Sequence, residues 1–206
     1  MFRRFLLAIA LLFFASGILI TSILRTALPS YASSQGSVTS TDLNASAQRV
    51  DYYLAYPGIL PDHFLWPIKS ARDNIWLFLT TDPLKKAELY LLLSDKGIGA
   101  SQVLIEGGKG KLAVNSAQQA GKYLQEALKS EEIARNKGVE VSGFLDRLAL
   151  ASLKHREKLQ EMEKSAPEDL RNDLSRTIEY SKKVFEELKG IFNYIKKPLP
   201  ESTFVD

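Results

Sequence analysis

The sequence predicts an all-α protein: an antiparallel bundle of about five helices, preceded by an aromatic and proline-rich strap and an N-terminal membrane segment. Two observations support this prediction. From Pro67 onward, apolar residues recur at helical spacing between helix start and stop signals. Before that, residues 5–24 form an apolar run without a charge. We divide the chain into residues 1–32 (membrane anchor or signal peptide), 33–50 (spacer), 51–197 (helical domain) and 198–206 (tail).

The N-terminal apolar run, Phe5 to Leu24, follows Arg3 and Arg4. About 20 helical residues span a bilayer's hydrocarbon core, and the arginines favour an N-terminus on the inside. Two interpretations remain open. The run is long for a signal peptide, which favours an uncleaved anchor, but Ser30-Tyr31-Ala32 resembles a cleavage site. We therefore expect either a single-pass protein of the cell membrane with an extracytoplasmic domain, or a protein secreted after cleavage.

The spacer that follows is rich in Ser and Thr, a composition typical of flexible tethers. The formal net charge of +3 comes from Arg3, Arg4 and Arg25, so the exported part is electrically neutral. It also lacks a block of basic residues, and we expect no nucleic-acid partner.

The sequence contains no pattern typical of catalysis or cofactor binding. The chain has no cysteine, which excludes disulfides, thiolate metal ligands and cysteine nucleophiles. Gly97-Ile98-Gly99 lacks the third glycine of a dinucleotide loop, and Lys111 of the second glycine cluster is followed by Leu112 rather than Ser or Thr. No pair of acids or metal-ligand spacing stands out. We predict a protein that is not an enzyme and holds no cofactor or metal.

The strap, residues 52–66, concentrates aromatic residues and prolines around a turn at Pro57-Gly58. We favour the interpretation that its aromatic residues clamp it onto the helices, because a strap needs anchors. The alternative is a docking groove for a peptide or sugar. Possible partner-binding residues in that case are Tyr52, Tyr53, Tyr56 and Trp66; Phe64 completes the aromatic set.

Five helices are expected after the strap. The first helix is expected over about residues 67–80, and Asp62 is expected to accept hydrogen bonds from free amides near its start. Its apolar stripe consists of Ile68, Ala71, Ile75, Phe78 and Leu79. Asp82 and Pro83 open the second, which ends near Gly107-Gly108; the third runs over about residues 109–137 with an alanine-rich inner face and ends at Gly138. Ser142 is expected to cap the fourth helix, and Ser165, with Pro167 and Glu168, the fifth, which ends before Pro198.

Both histidines have a structural interpretation. We expect His63 to bond a turn or helix end rather than a ligand. His155 lies on the apolar seam of the fourth helix, between Leu148 and Leu159. As a metal ligand it lacks partners on its own helix face, so we expect a buried histidine satisfied by a neighbouring helix.

Two motifs carry a family resemblance: Tyr-Tyr-Leu-x-Tyr-Pro-Gly-Ile-Leu-Pro-Asp-His (residues 52–63) and Thr-Asp-Pro-Leu-Lys-Lys-Ala-Glu-Leu-Tyr-Leu-Leu-Leu (residues 81–93). With Ala151–His155 and Lys164–Glu168, they make the chain similar to a family of exported bacterial helical domains of unknown function, over about residues 51–190. The chain departs from the family pattern at Phe64, usually Pro, and at Trp66, often Tyr. The resemblance implies an exported helical domain and no known activity.

Two kinds of function fit these expectations. The first is a membrane-tethered or secreted helical interaction module that binds a protein partner or itself, with membrane contact through residues 5–24. The alternative is an envelope stress, metal or ligand sensor of chaperone-like type, for which only a general architectural analogy speaks.

Overall fold

The computed structural model of the protein describes residues 50–200. The predicted membrane segment, the spacer before Val50 and the end of the tail lie outside these residues. The described residues form five α-helices and no strand: α1 Trp66–Leu79, α2 Pro83–Glu106, α3 Gly110–Asn136, α4 Ser142–Ser165 and α5 Glu168–Tyr194. Among the described helices, none has the length and apolar character needed to cross a bilayer.

The predicted start and end of α2 are confirmed by their hydrogen bonds. Asp82 is the N-cap, its Oδ1 accepts from the Lys85 amide at 2.9 Å, and Pro83 begins the helix. At the other end, Gly108 adopts a φ of 72° and reverses the chain toward α3. Gly138, with a φ of 76°, ends α3 in the same way.

The predicted serine caps of α4 and α5 are wrong. Ser142 is already helical, and its amide donates to the Glu140 carboxylate at 2.8 Å, so a longer side chain two residues back takes the capping role. Ser165 is the last residue of α4, and its hydroxyl donates to the Met162 carbonyl at 3.1 Å. Pro167 occupies the N-cap position of α5, where Glu168 and Asp169 complement the positive end of the helix dipole.

Helices α2 to α5 form two antiparallel hairpins. In the first hairpin, Ser94 Oγ donates to the Ala120 carbonyl at 2.7 Å and Ser101 Oγ to the Ala113 carbonyl at 2.8 Å. As the residue number rises in α2, its partner's number falls in α3, so the helices run in opposite directions. Helices α4 and α5 pair in the same way across a two-residue connection.

The two hairpins stack in the same direction, so neighbours across them are parallel. Helix α2 contacts α4 with a nearly constant offset: 59 residues for Glu88–Arg147, 60 for Asp95–His155 and 61 for Ser101–Met162. Helix α3 packs against α5. The predicted antiparallel arrangement therefore holds within each hairpin and not between them.

The core contains two apolar clusters with polar side chains between them. The first cluster includes Leu91, Leu124, Leu148, Leu188 and Phe192, and the second includes Ile98, Ala117, Leu159, Leu174 and Ile178. Fully or almost fully buried polar residues, Ser94, Asp95, Ser152, His155, Thr177 and Ser181, lie along the same helices. The predicted alanine face of α3 and the predicted seam of α4 are buried throughout.

Two glycines allow the helices to approach closely. A Cβ placed on Gly97 would lie 2.8 Å from Ala120 Cβ and 3.2 Å from the Ser116 carbonyl oxygen. A Cβ on Gly121 would lie 2.8 Å from the Tyr180 ring. Gly97 thus has a packing role against α3 that compensates for its low helix propensity.

Gly97→Ala is expected to destabilise the protein by about 1–3 kcal/mol, because the rigid backbone and Cβ of α3 leave no room for a methyl group. Gly190→Ala is the matched control: it is also helical, but its Cβ would meet nothing within 4 Å. It should stabilise the protein by about 0.5–1 kcal/mol through helix propensity. Chemical denaturation of both variants measures the difference, and equal effects would contradict the close α2–α3 contact.

Candidate functional site

Asp95 is the centre of a buried polar cluster. Its Oδ1 lies 2.7 Å from His155 Nε2, and its Oδ2 accepts from the Tyr52 hydroxyl at 2.8 Å. Because a carboxylate oxygen accepts, Nε2 of His155 carries the shared proton. Ser94 Oγ lies 3.5 Å from the other ring nitrogen of His155. The expectation that a neighbouring helix satisfies a buried His155 is confirmed.

A second set of contacts fixes the start of the described chain to α4. The Val50 amide donates to Glu157 Oε2 at 2.9 Å, and Lys154 Nζ donates to the Val50 carbonyl at 3.3 Å and to Glu157 Oε1 at 2.8 Å. Glu157 is buried and both of its oxygens are used. Residues 50–65, here called the N-terminal segment, are therefore attached to α4 by Val50 and to α2 by Tyr52.

The N-terminal segment follows α2 toward its C-terminal end, and α1 returns in the opposite direction. Tyr52 contacts Asp95, and Pro57 lies beside Gly99. Asp62 then pairs with Lys109 in the α2–α3 connection. Leu77, near the end of α1, packs against Leu89 and Leu93 near the start of α2.

Three of the five aromatic residues do not clamp the segment, so the clamp interpretation is wrong for them. Tyr53 is 91% exposed, Tyr56 83% and Phe64 81%. Tyr52 and Trp66 are half-buried, and Tyr52 packs on the first apolar cluster. The segment is attached instead by Val50 and Tyr52 and by the packing of Leu54 on the second apolar cluster.

Asp62 and His63 have different roles. Asp62 makes no hydrogen bond at the start of α1, contrary to expectation; Leu65 is the N-cap there, and the bond with Lys109 lowers the pKa of the Asp62 carboxyl. His63 Nδ1 accepts from the Leu65 amide at 3.1 Å, and its ring stacks on Phe64. The expected structural role of His63 at a turn is confirmed.

Helix α1 turns its apolar side outward. The predicted stripe, Ile68, Ala71, Ile75, Phe78 and Leu79, is exposed along its whole length. The opposite side faces α2 and carries Lys69, Ser70 and Asp73, with Leu77 as its one fully buried apolar residue. Helical periodicity correctly predicted the helix, but the apolar side that normally faces a core is here turned away from the bundle.

A partly open groove of about 340 Å³ lies between α1, α2 and α3. Trp66, Lys69, Asp73, Lys96 and Tyr123 line it, and Gly97 forms part of its floor. Lys69 Nζ lies 3.5 Å from Asp73 Oδ2 and 4.4 Å from the centre of the Trp66 ring. Burial lowers the pKa of Lys69, while the charge of Asp73 acts in the opposite direction.

Within residues 50–200, no group of three or more His, Asp or Glu side chains is arranged to hold a metal ion. Both carboxylate oxygens of Asp95 are occupied by the protein's own donors, and His155 has no exposed surface. This buried acid–histidine pair connects α2 to α4 and can fix the positions of the two helices.

Residues 58–169 match the family described as Domain of unknown function (DUF5667), which is more than half of the chain. The chain belongs to the DUF5667 family. The match begins at Gly58 in the N-terminal segment, covers α1 to α4 and includes the first residues of α5. No curated protein and no solved structure matches the chain.

Two neighbouring tyrosines of this DUF5667 protein provide a test of the Asp95 cluster. Tyr52→Phe removes a hydrogen bond to a buried carboxylate and is expected to destabilise the protein by about 1.5–3 kcal/mol. Tyr53→Phe removes the same hydroxyl from an exposed side chain and should change stability by less than about 0.5 kcal/mol. Chemical denaturation measures both, and a negligible effect of Tyr52→Phe would show that the segment is held in another way.

Proposed function

We propose that this protein is a membrane-tethered or secreted helical interaction module without enzymatic activity, and that a protein partner docks on Tyr53 and Tyr56. The tether is residues 5–24, and the helical domain acts outside the cytoplasm. The sequence supports this export through the uncharged run behind Arg3 and Arg4.

One observation carries the proposal: the N-terminal segment is fixed on both sides of its exposed tyrosines. Tyr52 bonds Asp95 before them, and Pro57 lies against Gly99 after them. Exposed Tyr side chains on a fixed backbone lose little conformational entropy on binding. Tyrosine is also enriched among the residues that dominate the energy of protein interfaces.

The non-enzymatic character is supported by the saturated state of the polar cluster. Catalytic acids and bases need access to substrate. Asp95 and His155 instead bond each other across α2 and α4. Asp95 also accepts from Tyr52, and Glu157 accepts from Val50, both in the N-terminal segment.

A ligand or stress sensor is the second candidate, and the groove between α1, α2 and α3 favours it. Its volume suits a small molecule, and it combines an indole, a phenol and two lysines. A ligand that binds the folded protein there raises its melting temperature.

The proposed function is tested by affinity capture of the tagged full-length protein from detergent-solubilised membranes of the cells that make it. We expect the wild type to capture an envelope protein in stoichiometric amount. The double variant Tyr53→Ala/Tyr56→Ala should capture at least about tenfold less of it, because an interface tyrosine often contributes 2 kcal/mol or more to the binding free energy. The matched control is Tyr194→Ala, since Tyr194 is 82% exposed but lies at the end of α5.

The same sample gives the mass of the protein and so shows whether residues 1–32 remain. Equal capture by the wild type and the double variant would contradict docking on these tyrosines. A strictly monomeric protein that captures nothing would contradict the interaction module, and the groove would then be tested with small ligands and divalent ions.

A further inference from the structure

The outward apolar side of α1 is the feature that the proposed partner site leaves unexplained. Phe64, just before the helix, continues the stripe of Ile68, Ala71, Ile75, Phe78 and Leu79. Phe78 is 83% exposed, Ile68 68% and Leu79 66%. Together these side chains, called the α1 apolar face from here on, expose on the order of 500 Å² of apolar surface, at the upper end for a monomeric soluble protein.

The orientation of α1 shows that the bundle does not need this face. Lys69 and Asp73 lie on the side toward α2, where the bundle offers Leu89, Leu93 and Tyr123. A helix packed only for its own stability would be expected to turn its apolar side inward. The inverted orientation therefore points to an apolar surface outside the described residues.

A second copy of the chain fits this face poorly. A 14-residue helix is about 21 Å long. Even complete burial of both faces in a symmetric pair would cover about 1,000 Å² in total, below the 1,200–2,000 Å² of typical stable interfaces. The face is thus too small to hold a dimer together by itself.

The chain that precedes the described residues favours the bilayer as the cover. About 25 residues separate Leu24, the end of the apolar run, from Val50. A chain of 25 residues spans at most about 90 Å even when fully extended. If residues 5–24 anchor the chain, the α1 apolar face is held near the membrane at a high effective concentration.

The chemistry around the face also suits a lipid surface. Asp73 is the one acid of α1, and it is turned inward and paired with Lys69 at 3.5 Å and Arg72 at 2.7 Å. Helix α1 thus brings no unpaired acid to a bilayer, and it carries a net positive charge.

We infer that α1 lies in the interface of the bilayer to which the chain is tethered, with the α1 apolar face inserted among the lipids. This inference rests on the tethered form of the proposed function. The helix would lie parallel to the membrane with its apolar side about 5–10 Å deep, as interfacial amphipathic helices do. The domain would then have a fixed orientation that presents its other surfaces away from the lipid.

The test uses the absence of cysteine from the chain, which allows a single spin label on the full-length protein in phosphatidylcholine–phosphatidylglycerol vesicles. Ala71→Cys places the label in the middle of the face without removing a large apolar side chain. The label is expected to collide more often with oxygen, which partitions into lipid, than with a water-soluble nickel chelate. The control label, Ile133→Cys on α3, replaces a residue that is half exposed and lies outside the face, and should show the reverse.

A second variant separates insertion from an effect of the label. Adding Ile75→Ser and Phe78→Ser to Ala71→Cys should lower the ratio of lipid-inserted to water-exposed α1 by at least about tenfold. The reason is that each serine replaces a large apolar side chain that would otherwise lie in the lipid. The label should then behave like the one at residue 133.

Three results decide the inference. A lipid-exposed label at residue 71 that becomes water-exposed in the serine variant supports it. A water-exposed label in the parent chain overturns it, and so does spin–spin broadening that persists when the vesicles are diluted with lipid, which would identify a second copy. Failure of the wild-type protein to capture any partner would instead count against the proposed function and is measured separately. Removal of residues 1–32 in cells would leave the secreted form of that function standing, but it would overturn this inference because the tether would be gone.

Discussion

The hydrogen bonds of Asp95 are the constraint on which the rest of the structure depends. A buried carboxylate is stable only when its oxygens are bonded, and here His155 from α4 and Tyr52 from the N-terminal segment supply both partners. The first bond sets the register between the two hairpins. The second fixes the path of the N-terminal segment and thus the place where α1 begins. One side chain therefore connects the fold of the bundle to the surfaces proposed for binding.

Helices α2 to α5 form the core of the bundle, and the side chains of α1 are therefore available to contact another surface. The two apolar clusters contain no residue of α1, which contributes only Leu77 and the half-buried Trp76 to a small third cluster. This explains why α1 can present apolar residues outward without loss of the core. Residues 50–200 therefore combine a four-helix core with one attached aromatic segment and one amphipathic helix available for contacts.

Much of this fold could be predicted from the sequence, because the signals are local. The heptad-like seam of α4, the alanine face of α3 and the Asp82 cap each depend on residues a few positions apart. Other features depend on contacts between residues that are not near neighbours in the sequence. The parallel stacking of the hairpins depends on contacts about 60 residues apart, and the pairing of Asp62 with Lys109 on one 47 residues apart. The inverted orientation of α1 depends on how this helix packs against α2 and α3. The cap at Ser142 was wrong because this residue is already helical and its amide and hydroxyl both donate to the Glu140 carboxylate. The clamp was wrong for Tyr53 and Tyr56 because the segment is attached through other residues, among them Val50 and Tyr52.

The orientation of α1 is the central claim, and two adjacent residues test it most directly. Leu77 is buried against α2, whereas Phe78 is exposed. Chemical denaturation of the full-length protein should show a loss of about 2–3 kcal/mol for Leu77→Ala and less than about 0.5 kcal/mol for Phe78→Ala. A larger loss for Phe78→Ala than for Leu77→Ala would show that α1 packs with its apolar side inward, and the proposed membrane contact would lose its basis.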